Sequence, residues 1–213
     1  MRKTIYFIRH GQTDSNITGA QQTPTEPLNA TGQEQARIVA ARVKHLPVER
    51  LLCSSMTRAQ ETAGTIGDAC GLTPEPHDLF RELAIPSELE GALPSDDPNA
   101  LVNQYKRERE QFAADPERRF ADGENFTDLL NRCASSLAFL ATQPESRIAV
   151  ISHGRFLRTL AGYVVTGGNC TGAEVVTFSN TLRLTNAGIS VFHYENDEWR
   201  MLTWNDMAHF ADN

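Results

Sequence analysis

The chain alternates between short apolar runs and longer amphipathic stretches. Residues 3–9 form a continuous apolar and β-branched run, Lys3-Thr4-Ile5-Tyr6-Phe7-Ile8-Arg9. A run without polar alternation predicts a strand buried on both faces. Residues 147–152, Arg147-Ile148-Ala149-Val150-Ile151-Ser152, repeat the pattern. Each run stops at a histidine followed by glycine, His10-Gly11 and His153-Gly154. Residues 11–30 read as loop. Thr31 is a candidate cap for a helix carrying Ala36, Val39, Ala40 and Val43 on one side, ended by Pro47. A short strand follows at 50–53, and Ser54 and Ser55 offer caps for a helix over 56–69. Gly71 stands where a left-handed C-terminal residue belongs.

Residues 74–98 are proline-rich and show little periodicity. A polar helix is predicted over 99–113, and a second from residue 123 or 124 with Phe126, Leu129, Leu130, Cys133, Leu137 and Leu140 at helical spacing. Phe156, Leu157, Leu160 and Val164 predict a further helix, ended by Gly167-Gly168. Two antiparallel strands, 189–194 and 199–204, flank a turn at 195–198. Strands alternating with helices predict an α/β fold with a mainly parallel sheet. Ligands of such sheets bind beyond the carboxyl ends of the strands, where His10, the Cys53-Ser54-Ser55 segment and His153 all fall.

Composition narrows the function. At 213 residues the chain suits a single domain, 1–213, with residues 84–122 as an inserted lid. A formal charge of −7 without a basic tract argues against nucleic-acid binding. No apolar run is long enough to span a membrane, and the N-terminal apolar run is too short for a signal peptide, so a cytoplasmic location is expected. The four cysteines form no C-x-x-C pair, so no zinc or dithiol motif is expected. Oligomeric state is not readable.

Three clues point to phosphate chemistry. Arg9-His10-Gly11 puts charged groups directly after a buried strand, with Thr13 and Asn16 nearby as donors. Arg58 falls in the first turn of its helix, where the dipole disfavours a cation unless an anion is bound; pairing with Glu61 is the plainer alternative. His153-Gly154-Arg155 forms a second strand–His–Gly unit, and Gly154 permits close approach of the backbone to a ligand.

The sequence resembles the histidine phosphatase superfamily, also called phosphoglycerate-mutase-like. The resemblance rests on Arg9-His10-Gly11-Gln12-Thr13 with Asn16, on residues 54–63, on Arg81-Glu82-Leu83, on Gly123-Glu124 and on Ser152-His153-Gly154. Weaker blocks are Pro27-Leu28 with Gly32-Gln33 and Gln35-Ala36, and Trp204-Asn205-Asp206 with His209. It implies a three-layer α/β/α sandwich with an antiparallel edge strand. It implies a phosphatase acting on a small-molecule phosphomonoester, without metal or cofactor. His10 would be the nucleophile that becomes phosphohistidine. Arg9, Arg58, His153 and Asn16 would surround the phosphoryl oxygens. Glu82 would be the general acid and then base, with a raised pKa expected. Gly11, Thr13, Gly154 and Gln22 (or Gln21) would complete the substrate contacts. Arg155 stands where the family often has a small residue, and would contact an anionic substrate or point to solvent.

Four other readings compete. A phosphoglycerate mutase would carry a longer insertion with an Arg-His-Tyr-Gly segment, which this sequence lacks. A cysteine phosphatase could use Cys53 and Arg58, but the loop between them has the wrong length and no glycine. A metal hydrolase lacks any metal-binding spacing. A non-catalytic phosphate-binding module on the same fold is the fourth.

Overall fold

The computed structural model describes residues 2–111 and 114–211. It holds one six-stranded sheet in the order β3-β2-β4-β1-β5-β6. The strands are β1 (Lys3–Arg9), β2 (Arg50–Cys53), β3 (Glu75–Pro76), β4 (Arg147–Ser152), β5 (Ile189–Glu195) and β6 (Glu198–Asp206). The helices are α1 (Asp14–Thr18), α2 (Ala30–Val43), α3 (Thr57–Cys70), α4 (Leu101–Glu110), α5 (Phe126–Thr142), α6 (Gly154–Val165) and α7 (Gly172–Thr181). Strands β3, β2, β4 and β1 are parallel, while β5 runs antiparallel to β1 and β6 antiparallel to β5. The expected α/β fold is therefore present, with two antiparallel pairings at one edge.

The unbroken apolar runs are explained by cover on both faces. On one face, Ile5, Phe7, Ile148 and Val150 pack with Leu129, Leu137 and Leu140 of α5 and Phe156 and Leu160 of α6. On the other, Ile8, Ala149 and Ile151 pack with Val39 and Val43 of α2 and Ala59, Ala63 and Ile66 of α3. A small separate cluster of Leu89, Val102 and Tyr105 organises the 84–122 segment.

Local chemistry sets the boundaries. Asn29, not Thr31, caps α2, accepting from the Gly32 amide at 2.9 Å. Asn125 caps α5 in a reciprocal capping box with Asp128. Gly71 ends α3 at φ 69°, the left-handed conformation glycine adopts without penalty. At the β5–β6 hairpin Asn196 and Asp197 have φ of 53° and 62°, a two-residue turn whose twist matches its strands. Helices α1 and α7 have no counterpart among the expected elements. The former is a five-residue helix inside the 11–30 stretch read as loop. The polar helix expected over 99–113 spans Leu101–Glu110, and its last expected residues, 112 and 113, lie outside the described residues.

Candidate active site

Parallel register gathers the two histidines. Arg9 pairs with Ser152 across β1 and β4, so His10 and His153 leave neighbouring strands at the same level. Their ring centroids lie 5.0 Å apart. Strand β2, in register beside β4, delivers Ser54 to the same edge. The connections that follow then tighten around these ends. Gly11 lies so close to Gly32 that a Cβ on it would stand 2.4 Å from the Gly32 carbonyl oxygen, so the backbone crossing requires glycine. The Gly11 amide donates to Thr62 Oγ1 of α3, and Thr62 donates to the Arg58 carbonyl.

Both imidazoles are completely buried. His10 Nδ1 lies 2.6 Å from the Gly11 carbonyl oxygen. A carbonyl only accepts, so Nδ1 carries the proton and Nε2 holds a lone pair. His153 Nε2 lies 2.8 Å from Ser54 Oγ. Burial, then the charges of neighbouring groups, hold both rings well below the usual imidazole pKa. For His10 the charges are those of His153, Arg58 and Arg9; for His153, Arg58 and Arg9 lead. Both are neutral at physiological pH.

Arg58 is 1% exposed, an unusual place for a guanidinium. It is not paired with Glu61, which instead accepts from the Leu28 amide at 2.7 Å. Its Nη1 donates to the Thr23 carbonyl at 2.8 Å, tying α3 to the 20–24 loop. Arg9 Nη1 donates to the Leu184 carbonyl at 2.6 Å. Burial lowers the pKa of both arginines, Arg9 to about 10. Neither loses its charge at neutral pH. Four polar atoms here are buried with no hydrogen-bond partner among the described residues: Arg9 Nε, His10 Nε2, Arg58 Nε and His153 Nδ1. Each such orphan costs about 1–3 kcal/mol. Two cations and two neutral imidazoles with unspent polar atoms, at the exits of parallel strands, are suited to an anion.

Glu82 sits against the first turn of α6. Its Oε1 accepts from the amides of Leu83 and Phe156, both at 2.9 Å, and Oε2 accepts from the Arg155 amide at 3.1 Å. Burial pushes its pKa up, but the Arg155 charge and these three amides together pull it below the ordinary glutamate value. The expectation of a raised pKa is thus corrected: helix N-terminal amides favour the carboxylate form. The Glu82 loop is held from behind. Arg132 of α5 donates to the Arg81 carbonyl at 2.7 Å and pairs with Glu124 at 2.7 Å, while Glu124 accepts from the Ala84 amide.

A cavity of about 230 Å³ opens over this ground, lined by Arg9, Arg58, Glu82, Asn16, Gly154 and Arg155 among others. Gln21 and Gln22 both reach it. His10, His153, Gly11 and Thr13 are buried and are not among its lining residues. Gly11 instead anchors His10, and Thr13 accepts from Gln22 Nε2 at 2.6 Å. Asn16 Oδ1 accepts from the Thr13 amide and from Asn186 Nδ2, leaving its own amide nitrogen as a donor. Residues not anticipated are Arg158, which lines the cavity, and Asn186, which donates to the His10 carbonyl at 3.0 Å; Arg81, also lining the cavity, and Ser54, which holds His153, lie in segments the sequence singled out but gain their roles only here. Arg158 lies one helical turn beyond Gly154, a spacing that could have revealed it. Cys53 is fully buried, and burial pushes its thiol up to about 12, unsuited to a thiolate nucleophile.

The model of the histidine phosphatase superfamily (branch 1) matches residues 5–207. The chain belongs to that superfamily. A protein of Enterobacter sp. (strain 638) named "Probable phosphoglycerate mutase GpmB" is 32% identical over 203 residues, covering 94% of this chain and 89% of the relative. The fold is also that of the alpha-ribazole phosphatase from Shigella flexneri, with TM-score 0.78, 22% identity and coverage of 97% and 96% of the two chains. A phosphoserine phosphatase mutant from Entamoeba histolytica, in complex with phosphoserine, superposes with TM-score 0.78 at 23% identity, covering 97% and 98%. No helix among the described residues is long and apolar enough to cross a membrane.

Proposed function

We propose that this chain is a phosphatase that hydrolyses a small phosphomonoester through a phosphohistidine on His10, in the cytoplasm and without metal or cofactor. The observation that carries the reading is the cluster of buried, unpartnered polar atoms on Arg9, His10, Arg58 and His153. Phosphoryl oxygens supply the missing acceptors for the arginines, and phosphorus supplies the electrophile for the His10 Nε2 lone pair. The guanidinium groups of Arg9 and Arg58, which line the cavity, are the cations that hold the phosphoryl group there. Nε2 then attacks phosphorus, and the ester oxygen leaves with a proton from Glu82. In the second half Glu82 takes a proton from water, whose oxygen attacks phosphohistidine and releases phosphate.

Glu82 must acquire its proton first. A dianionic phosphoryl group beside it raises its pKa by like-charge repulsion, so proton uptake accompanies substrate binding. Residues 84–122 act as the lid. Supporting that role, Ala92 and Gly91 are hydrogen-bonded to the backbone of Gln21, and Ala84, Ile85 and Glu90 line the cavity.

The test is a phosphomonoester screen in EDTA with His10→Ala as control, and acid-labile radiolabel on the protein as the intermediate's signature. Turnover by His10→Ala, or turnover abolished by EDTA, would sink the reading. The Enterobacter relative's name favours a second reading, phosphoglycerate mutase. Exchange of phosphate between the 2- and 3-positions of phosphoglycerate, faster than phosphate release, would establish it.

A further inference from the structure

A second cavity, of about 240 Å³, adjoins the first, and the two share Leu83 and Arg155 as common walls. Its lining is largely apolar, from Phe126 and Leu129 of α5 and Val175 and Val176 of α7, with Thr159, Ser179 and Asn180 beside them. Its rim carries Lys106 and Arg109 of α4, with Arg155 at the boundary to the first cavity and one carboxylate, Glu110. Among the described residues none of these three cations forms an ion pair. Other arginines of this face are differently placed: Arg118, Arg119 and Arg132 all hold carboxylates. Burial and then the Arg155 charge lower Arg109 to about 10, while Tyr105, Glu82 and Glu110 act in the opposite direction. Tyr105, one turn before Arg109 and packed beneath its guanidinium, has a buried hydroxyl without a partner among the described residues.

We propose that this cleft receives the alcohol portion of the substrate, and that the substrate is a phosphomonoester whose apolar body ends in a second anionic group. The phosphoryl group occupies the first cavity. The apolar body passes Arg155 and lies against Phe126, Leu129 and Val176. Its terminal anion meets Arg109 and Lys106. Size agrees: each cavity alone is smaller than the roughly 300 Å³ at which ligand pockets usually begin, and a ligand spanning both falls within the ordinary range. The inference rests on the phosphatase reading and names the substrate class for it.

The experiment compares kcat/KM for alkyl phosphates from butyl to decyl with their ω-carboxylated counterparts and with the matching alkanediol bisphosphates. The expected result is a rise with chain length and a preference of about tenfold or more for the ω-anionic esters, the scale of one charge-assisted contact. Arg109→Met and Lys106→Met should each cut that preference severalfold. Val176→Trp, which fills the cleft without touching a charge, should abolish the chain-length dependence, and it serves if the α4 variants do not fold. Equal turnover of neutral and ω-anionic esters, or a preference unmoved in these variants, overturns the proposal. If no ester is turned over, calorimetry with His10→Ala separates the two ideas. Tighter binding of ω-anionic than neutral esters keeps the cleft and discards the hydrolase reading; no such difference discards both.

Discussion

Arg9, His10, Arg58 and His153 meet at the ends of parallel strands and the first turn of α3, all at most partly exposed and packed from below by both sheet faces. Lys106, Arg109 and Arg155 face the neighbouring cleft from α4 and α6, and Lys106 is exposed. The two regions carry similar charge but hold it differently. In the first, each side chain has at least one polar atom fixed by backbone or by Ser54, so its unpartnered nitrogen is held in place. In the second, no ion pair among the described residues fixes the cations, and α4 rests on only a small apolar cluster. A rigid floor with orphaned groups suits chemistry common to many substrates. A loosely supported rim suits discrimination among them.

Mutation separates the two regions. His10→Ala should abolish turnover, by about 10⁴-fold or more, because it removes the proposed nucleophile. Loss of labelled phosphohistidine is the direct check. Glu82→Gln should lower kcat by about 10²–10⁴-fold for alkyl esters and far less for nitrophenyl phosphate, whose leaving group needs no proton. An equal loss on both esters would remove Glu82 from the acid role.

Arg58→Met should cost about 10²–10³-fold in kcat/KM, yet leave the melting temperature unchanged or raised. A buried guanidinium is expensive to desolvate, and methionine fills much of its volume. A marked fall in melting temperature would instead make Arg58 a structural residue. Arg132→Met should act more weakly on catalysis, about tenfold on kcat, through displacement of the Glu82 loop. It should destabilise the fold by about 2 kcal/mol in urea titrations, because Glu124, partly buried, is left without its partner. Adding Glu124→Leu should recover part of that stability while the kcat defect stays.

The smallest effect is on the pH dependence of folding. His10 and His153 have folded pKa values below their unfolded ones, so below about pH 6.5 the unfolded chain binds protons the folded chain refuses. Their contribution is fully present above that pH and is lost as pH falls, at up to about 1.4 kcal/mol per pH unit for each ring. Glu82, also lowered, adds a loss of the same sign further into acid. His153→Asn should flatten the slope between about pH 6.5 and 5. An unchanged slope would mean the rings titrate freely in the folded state.

Much of the fold is legible in the amino-acid sequence. The strand ends at His10 and His153, the β2 span 50–53, the Gly71 stop and the hairpin turn all follow from local pattern, because burial on two faces and left-handed turns each restrict residue type. Helix α7 is not legible in that way, and neither is the partner of His153. Ser54 reads as a helix cap in sequence; in the fold its hydroxyl is spent on His153 and on the Met56 amide. Asn186 lies 176 residues from His10, and no local spacing announces that contact.

Most of the elements and their order are written in the order of residues, because apolar periodicity and strand-end chemistry are local properties. Protonation is a property of the assembled fold alone. Glu82 is ionised because the Arg155 charge, two amides of α6 and that of Leu83 converge on it, and His10 is neutral because it is buried and two arginines and a second imidazole share its dry surroundings. Desolvation and Coulomb interaction depend on what lies within a few ångströms, and for these residues much of that, Arg155 and Phe156 beside Glu82 and Arg58 and His153 beside His10, comes from far along the sequence.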